Sequence, residues 1–256
     1  MGVIFINPYR FAGFDPLSLS PALWLDASDT STITASSGAV SQWNDKSGNG
    51  RHVSQATGTN QPFTGSATQN GLNVLSFFGD DYMTHDAGSD NIDLSPLTFA
   101  VVTYDANSTQ TSSTFRRVVT TRRSAAITAD YQSPNFAIAK NNTTRQIGAL
   151  GNGIASPNVN YTNNAAFLLI GKMTSSAASV SINGSSFTST SGNASIADQR
   201  YVRIAATCLG GGNPPNLLPS EVWVGRMMEI ILVPADLSTS DVDALTSYLN
   251  AKWAIY

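Results

Sequence analysis

Two carboxylates flanking one bond would be the simplest chemistry open to this chain, yet it holds only two glutamates, Glu221 and Glu229. Glycoside hydrolysis needs its carboxyl groups about 5–5.5 Å apart for retention or about 6.5–9.5 Å for inversion. Eight residues along one extended strand put the two glutamates on the same face but about 26 Å apart, at about 3.3 Å per residue. They cannot form the pair, and no motif singles out an aspartate to replace one of them. Serine-nucleophile chemistry has no support either: no G-x-S-x-G elbow occurs, and His52 and His85 lie in turn-like segments, where a histidine more often decorates the surface than serves as a base. The lone Cys208 sits in the apolar run YVRIAATCL and reads as a small buried hydrophobe. One cysteine supports no internal disulfide, CxxC pair or structural zinc. The expectation from these residues is a chain that is not an enzyme and needs no cofactor.

Binding chemistry has more candidates. Asp26, Asp29 and Asp45, with Asn44 and Asn49 close by, are hard oxygen ligands of the kind calcium takes. The same residues also serve turns, because Asp and Asn bond their own backbone, and turn chemistry is the more common role. The acidic stretches GDDY (79–82) and HDAGSDNID (85–93) raise the same alternative, and neither has EF-hand spacing. His52, Tyr82 and Tyr131, in segments read as loops, are the candidates for carbohydrate recognition. Arg116, Arg117, Arg122 and Arg123 could bind a phosphate or an acidic sugar if paired across a hairpin. Consecutive strand positions point to opposite faces, however, so salt-bridged surface strands are the expectation.

The elements that must position these residues are short β-branched or aromatic runs separated by Gly, Asn, Ser and Asp clusters, the signature of a sandwich or jelly roll. The strongest are ALWLDA (22–27), VSQWND (40–45), NVLSFF (73–78) and LTFAVVTYDA (97–106). Further strands are expected at 115–122, 135–140, 166–173, 178–184, 201–209 and 221–233. Phe167 to Ile170 and Ile230 to Val233 are apolar at consecutive positions, so both faces of those strands should be covered. Asn183-Gly184 supplies the two positive φ values of a type I′ hairpin turn. Only 237–255 reads as helix. There Val242, Leu245, Leu249 and Trp253 form one apolar stripe, Asp241 and Asp243 sit in the first turn and Lys252 in the last. This helix should pack on the sandwich and close one end of it. The segment 210–219 reads as a long loop, and no repeat or linker divides the chain.

Composition narrows the setting. Charged residues are 12% of the 256, the formal net charge is −3, and the acidic groups are almost all Asp. A helical bundle would use Glu, Lys and Arg far more heavily. A basic nucleic-acid footprint is missing, and no apolar stretch approaches a membrane span, so neither partner is expected. The run from Val3 to Ile6 is too short for a signal-peptide core. Ser, Thr, Asn and Gly nonetheless make up about 40% of the chain, a surface-exposed β-protein composition. A virion component, assembled in host cytoplasm and exposed after lysis, reconciles these features.

PALWLDASDTSTIT, GAVSQWNDKSGNGRHVSQ, NVLSFFGDDYM and GRMMEIILVPADLSTSDVDALTSYLNAKWAI together resemble the concanavalin A-like, LamG-type jelly-roll domains of tailed-phage virion and bacterial surface proteins. The resemblance spans about residues 20–256. It implies an all-β, two-layer antiparallel jelly-roll sandwich over 21–256, closed by the C-terminal helix, with Trp24, Trp43 and Trp253 as core or sheet-capping aromatics. It also implies lectin-like display on a capsid, tail fibre or baseplate, or adhesion to host-surface glycans. The family's glucanase branch carries an E-x-D-x-E type motif that this chain lacks. Residues 1–20 fall outside the resemblance and read as an extended arm. Its Ile4, Phe5, Ile6, Tyr9, Phe11 and Phe14 are too many apolar groups to leave in water, so the arm should dock on other virion proteins or on copies of the same chain.

Overall fold

The computed structural model describes residues 13–86, 91–106, 115–123, 136–141, 145–206 and 222–256. Two antiparallel sheets face each other. In the first, the strands run in the order Leu23–Asp26, Val224–Val233, Leu97–Asp105, Ala166–Met173, Ala177–Ile182 and Thr188–Ser191, with Leu75–Phe78 also paired to Val224–Val233. The second runs from Gln146–Gly151 through Phe136–Asn141, Phe115–Arg122, Tyr201–Ile204, Met83–Asp86, Val53–Ser54 and Ala39–Trp43 to Ile33–Ser36. The first strand pairs with the last, Leu23 opposite Leu232 and Asp26 opposite Glu229, so the two ends of the domain meet in one sheet.

Strand alternation explains where the core lies. Leu23, Leu25, Phe99, Val101, Phe167, Leu169, Ile230 and Leu232 point inward and meet Phe136, Ile138, Trp43 and Val202 of the facing sheet. Their neighbours Trp24, Ala100, Val102, Leu168, Ile170, Ile231 and Val233 point the other way and form a second cluster with Val242, Leu245, Leu249 and Trp253 of the helix Thr239–Trp253. The consecutive apolar runs expected to be covered on both faces are so covered. The helix does not close an end of the sandwich. It lies across the outer face of the first sheet as a third layer, because that face is apolar at alternate positions of four adjacent strands and must be kept from water.

Local chemistry agrees with these placements. Ser238 caps the helix by accepting from the Asp241 backbone N–H at 3.2 Å, and Lys252 stands in the last turn where the macrodipole favours a cation. Asn183 and Gly184 have φ of 48° and 71°, as the hairpin turn requires. Gly171 lets the Ala166–Met173 strand pass beside Phe99: a Cβ there would overlap the ring. Arg116, Arg117 and Arg122, expected on salt-bridged surface strands, are all buried. Only Arg123 behaves as expected, exposed and 3.4 Å from Asp198.

Candidate functional site

The aspartates read as calcium ligands are held apart by lysines. Asp26 Oδ2 and Asp29 Oδ2 each lie 2.9 Å from Lys46 Nζ, and Asp26 Oδ1 lies 2.8 Å from Lys252 Nζ. An ammonium therefore stands where a cation would have to sit. Asp45 turns away from both and accepts from the backbone N–H groups of Trp24, Ser47 and Arg51 and from the Ser47 hydroxyl. It organises the 45–51 loop, which is the turn role rather than the metal role. No three acidic, histidine or cysteine side chains among the described residues converge as a metal site.

The same lysines complete a buried network that spacing along the chain could not reveal. Glu229 is 1% exposed, on the outer face of Val224–Val233. Its Oε1 accepts from Trp24 Nε1 at 2.8 Å and from the Tyr248 hydroxyl at 3.2 Å; its Oε2 accepts from Trp253 Nε1 and Lys252 Nζ, both at 2.7 Å. Burial, with Asp26 next to it, pushes the Glu229 carboxyl up from its usual range. Asp26 is buried too, yet Lys252 and Lys46 hold it below its ordinary value. Asp26 and Glu229 are thus a cross-strand carboxylate pair that spacing along the chain does not reveal. The pair is sealed beneath the helix and bridged by Lys252, so it locks the helix to the sheet and has no room for a substrate.

The residues expected to meet a sugar fare unevenly. Tyr82 is buried with Ala206 and Val222 and presents no ring face to a ligand. His52 is exposed, and its Nδ1 accepts from the Asp45 backbone N–H at 3.0 Å. Tyr131 lies outside the described residues, as do Ile4, Phe5, Ile6, Tyr9, Phe11, Cys208 and Glu221. Phe14, placed in the docking arm, instead packs on the protein's own helix, its ring 5.6 Å from that of Tyr248. Asp15 beside it caps a short 3-10 turn, Pro16–Leu19.

A groove of about 460 Å³ opens elsewhere, on the outer face of the first sheet where the helix stops covering it. Its floor is Lys172, Ser179 and Ser181; one wall is the hairpin turn Gly184 to Phe187; the other is Thr239, Val242, Asp243 and Thr246. Each part follows from a local pattern. In the strand Ala177–Ile182 the sequence AASVSI buries Ala178 and Val180 in the core and turns Ser179 and Ser181 outward. The four helix residues stand at i, i+3, i+4 and i+7, hence on one face, which meets the apolar stripe at Val242. Lys172 Nζ is bound to Asp236 Oδ1 at 2.8 Å and to the Leu237 carbonyl, which fixes the entry of the helix against the sheet.

Chemically, the groove offers hydroxyls and one ring. Phe187 is 38% exposed at its rim. Ser181 already donates to the Ser185 carbonyl and Thr246 to that of Val242. Among the described residues, the side chains of Ser179, Ser186, Thr239 and Asp243 make no hydrogen bond. Since Asp236 neutralises Lys172, Asp243 leaves the groove with one uncompensated negative charge. The sequence signal for this site was present in the alternation of AASVSI and in the polar second face of the helix.

No protein-family model matches the chain, and no curated protein matches it. Solved structures do match over nearly its whole length. A Trypanosoma rangeli sialidase superposes with a TM-score of 0.55 at 16% identity, over 90% of this chain and 32% of that one. An arabinofuranosidase complexed with arabinofuranosyl-alpha-1,2-xylobiose gives 0.58 at 13% identity, over 91% and 59%. The binding domain of botulinum neurotoxin DC in complex with SialylT gives 0.52 at 11% identity, over 90% and 51%. The chain therefore spans between 32% and 59% of the length of these three proteins. The expectation that it is not an enzyme is corrected by this comparison: the same fold forms part of glycosidase chains, so a missing glutamate pair does not separate it from sugar-active proteins. At these identities the likeness shows the β-sandwich fold, and that fold is the conclusion the comparisons carry.

Proposed function

We propose that this chain is a carbohydrate-binding β-sandwich whose groove between the 184–187 turn and the helix receives a sugar. The observation that carries the reading is the groove's lining: unpartnered hydroxyls and a carboxylate beside one exposed aromatic ring. Saccharides present C–H faces that pack on such a ring and hydroxyls that exchange hydrogen bonds with Ser, Thr and Asp. The solved neighbours support it, being a sialidase, an arabinofuranosidase complexed with arabinofuranosyl-alpha-1,2-xylobiose and a toxin binding domain in complex with SialylT. The uncompensated Asp243 favours neutral or amino sugars over acidic ones at this site. Glycan-array binding by the whole chain, lost in Phe187→Ala and in Ser179→Tyr while melting is unchanged, tests the reading. Binding that survives both substitutions refutes it. Hydrolysis of array-positive glycans, followed by reducing-end release, would extend the same site from binding to turnover.

The setting we propose is a virion surface, on a capsid, tail fibre or baseplate, with a LamG-type domain displayed outward. Composition and the sequence resemblance support it, and the solved neighbours do not bear on it. Attachment would fall to the arm, through Ile4, Phe5, Ile6, Tyr9 and Phe11, toward other virion proteins or further copies of the chain. Deleting residues 2–12 should then leave a folded domain that no longer joins the particle, scored by mass spectrometry of purified virions. Incorporation of the truncated chain at the full-length level refutes the docking role.

A further inference from the structure

Between the two sheets, at the end of Leu97–Asp105, lies a polar cluster separate from the groove. Arg116 and Lys140 are register partners on neighbouring strands. Lys140 Nζ lies 2.6 Å from Asp105 Oδ2, and the Tyr161 hydroxyl donates to the same oxygen at 2.6 Å. The Lys140 ammonium also stands 5.3 Å from the centre of the Trp223 ring. Asp105, Arg116, Lys140 and Trp223 are each at most 3% exposed.

Two features of the cluster are unsettled. Among the described residues, two cations face one carboxylate, an excess of one positive charge, and a buried guanidinium cannot shed its proton. Four polar atoms also lack partners among the described residues: Arg116 Nε and Nη1, Trp223 Nε1 and Asp105 Oδ1. Water can occupy such positions but cannot neutralise the charge. Burial holds the Arg116 and Lys140 cations below their usual ranges, and Arg116 adds to the effect on Lys140. Exposed Arg145, which acts on Tyr161, contributes positive field from outside.

We propose that this inter-sheet cluster binds a small hydroxy carboxylate, of which a uronate is the saccharide form. The ligand's carboxylate accepts from Arg116 and cancels the excess charge. A hydroxyl on the same molecule donates to Asp105 Oδ1 and accepts from Trp223 Nε1, so all four unpartnered atoms are used. A hydroxyl is required there because a second anionic group would meet Asp105 directly.

The test is calorimetric titration of the full chain with lactate, propionate, glucuronate and glucose at matched ionic strength, in the Phe187→Ala background so that the groove is silent. Saturable binding of lactate and glucuronate is expected, with propionate at least tenfold weaker because it lacks the hydroxyl. Arg116→Gln should weaken both acids at least tenfold. Failure of both acids to bind overturns the proposal, as does propionate matching lactate, a comparison that needs no further variant and so decides the matter even if Arg116→Gln does not fold. Glucose binding as tightly as glucuronate, or acid binding undiminished in a folded Arg116→Gln, overturns it too. Because the groove is disabled throughout, neither result bears on the proposed sugar site.

Discussion

Replacing Glu229 by Gln removes one charge and little volume, which makes it a sharp test of the network under the helix. In the native protein four donors converge on the two carboxylate oxygens, from Trp24, Tyr248, Lys252 and Trp253. A glutamine offers one oxygen and one NH2 group. If the NH2 takes the Oε2 position it faces Lys252 and Trp253, both donors only. If it takes the Oε1 position it faces Trp24, while the Tyr248 hydroxyl can rotate to accept. One orientation is less costly than the other, and neither satisfies every group. Lys252 also keeps only Asp26 as a counter-charge. Breaking a buried ion pair by removing one partner costs about 3–5 kcal/mol. For a domain of this size each kcal/mol moves the melting temperature by about 2–4 °C, so Glu229→Gln should melt about 6–20 °C lower. Tryptophan fluorescence during thermal unfolding is the natural assay, since Trp24 and Trp253 both report on the carboxylate. The double variant Glu229→Gln/Lys252→Met should be less destabilised than the sum of its singles, because the second substitution removes the charge the first orphans. A Glu229→Gln midpoint within about 2 °C of wild type, or strict additivity in the double variant, would refute the view that this network anchors the helix.

Trp253→Ala removes the largest buried side chain of the helix and should cost about 3–5 kcal/mol by chemical denaturation; an unchanged midpoint would take the helix out of the core. Gly171→Ala should also destabilise, because the new methyl meets Phe99, and pairing it with Phe99→Leu should recover part of the loss. Asp81 gives a pH prediction: burial, with Asp80 adding to it, raises its carboxyl to about 6 against the opposing Phe78 N–H. The folded state therefore holds the proton more tightly than the unfolded one. The contribution is full below about pH 4 and is lost as pH rises through about 6. Asp81→Asn, whose amide oxygen can still accept from Phe78, should gain stability relative to wild type between pH 4 and pH 8; a pH-independent difference would contradict the shift. In the groove, Asp243→Asn should weaken binding of an amino sugar more than that of its neutral parent, and equal effects would remove the charge from recognition.

Much of the architecture was legible because it depends on short-range pattern. The strand Phe115–Arg122 was expected at those residues, the hairpin turn was readable from Asn183-Gly184, and the helical stripe from Val242 to Trp253 is buried throughout. Strands with weak or mixed character, such as Ile33–Ser36 and Gln146–Gly151, were missed because their pairing partners, rather than their own residues, make them strands. What the sequence by itself determined is periodicity: which positions alternate, where the chain must turn, and that some strands need cover on both faces. Only the tertiary structure decided what supplies that cover. It is the helix on one side and the second sheet on the other, which turns an expected end cap into a third layer. The same holds for charge. Asp26 and Glu229 are separated by most of the chain, yet the pairing of first and last strands sets them opposite each other, and Lys252 reaches both only because the helix lies over that sheet. An aspartate in a turn-rich segment looks identical in sequence whether it will hold calcium, cap a loop or neutralise a lysine. The partner that decides its role arrives through folding, because Coulomb and hydrogen-bond energies depend on distance in space and not on distance along the chain.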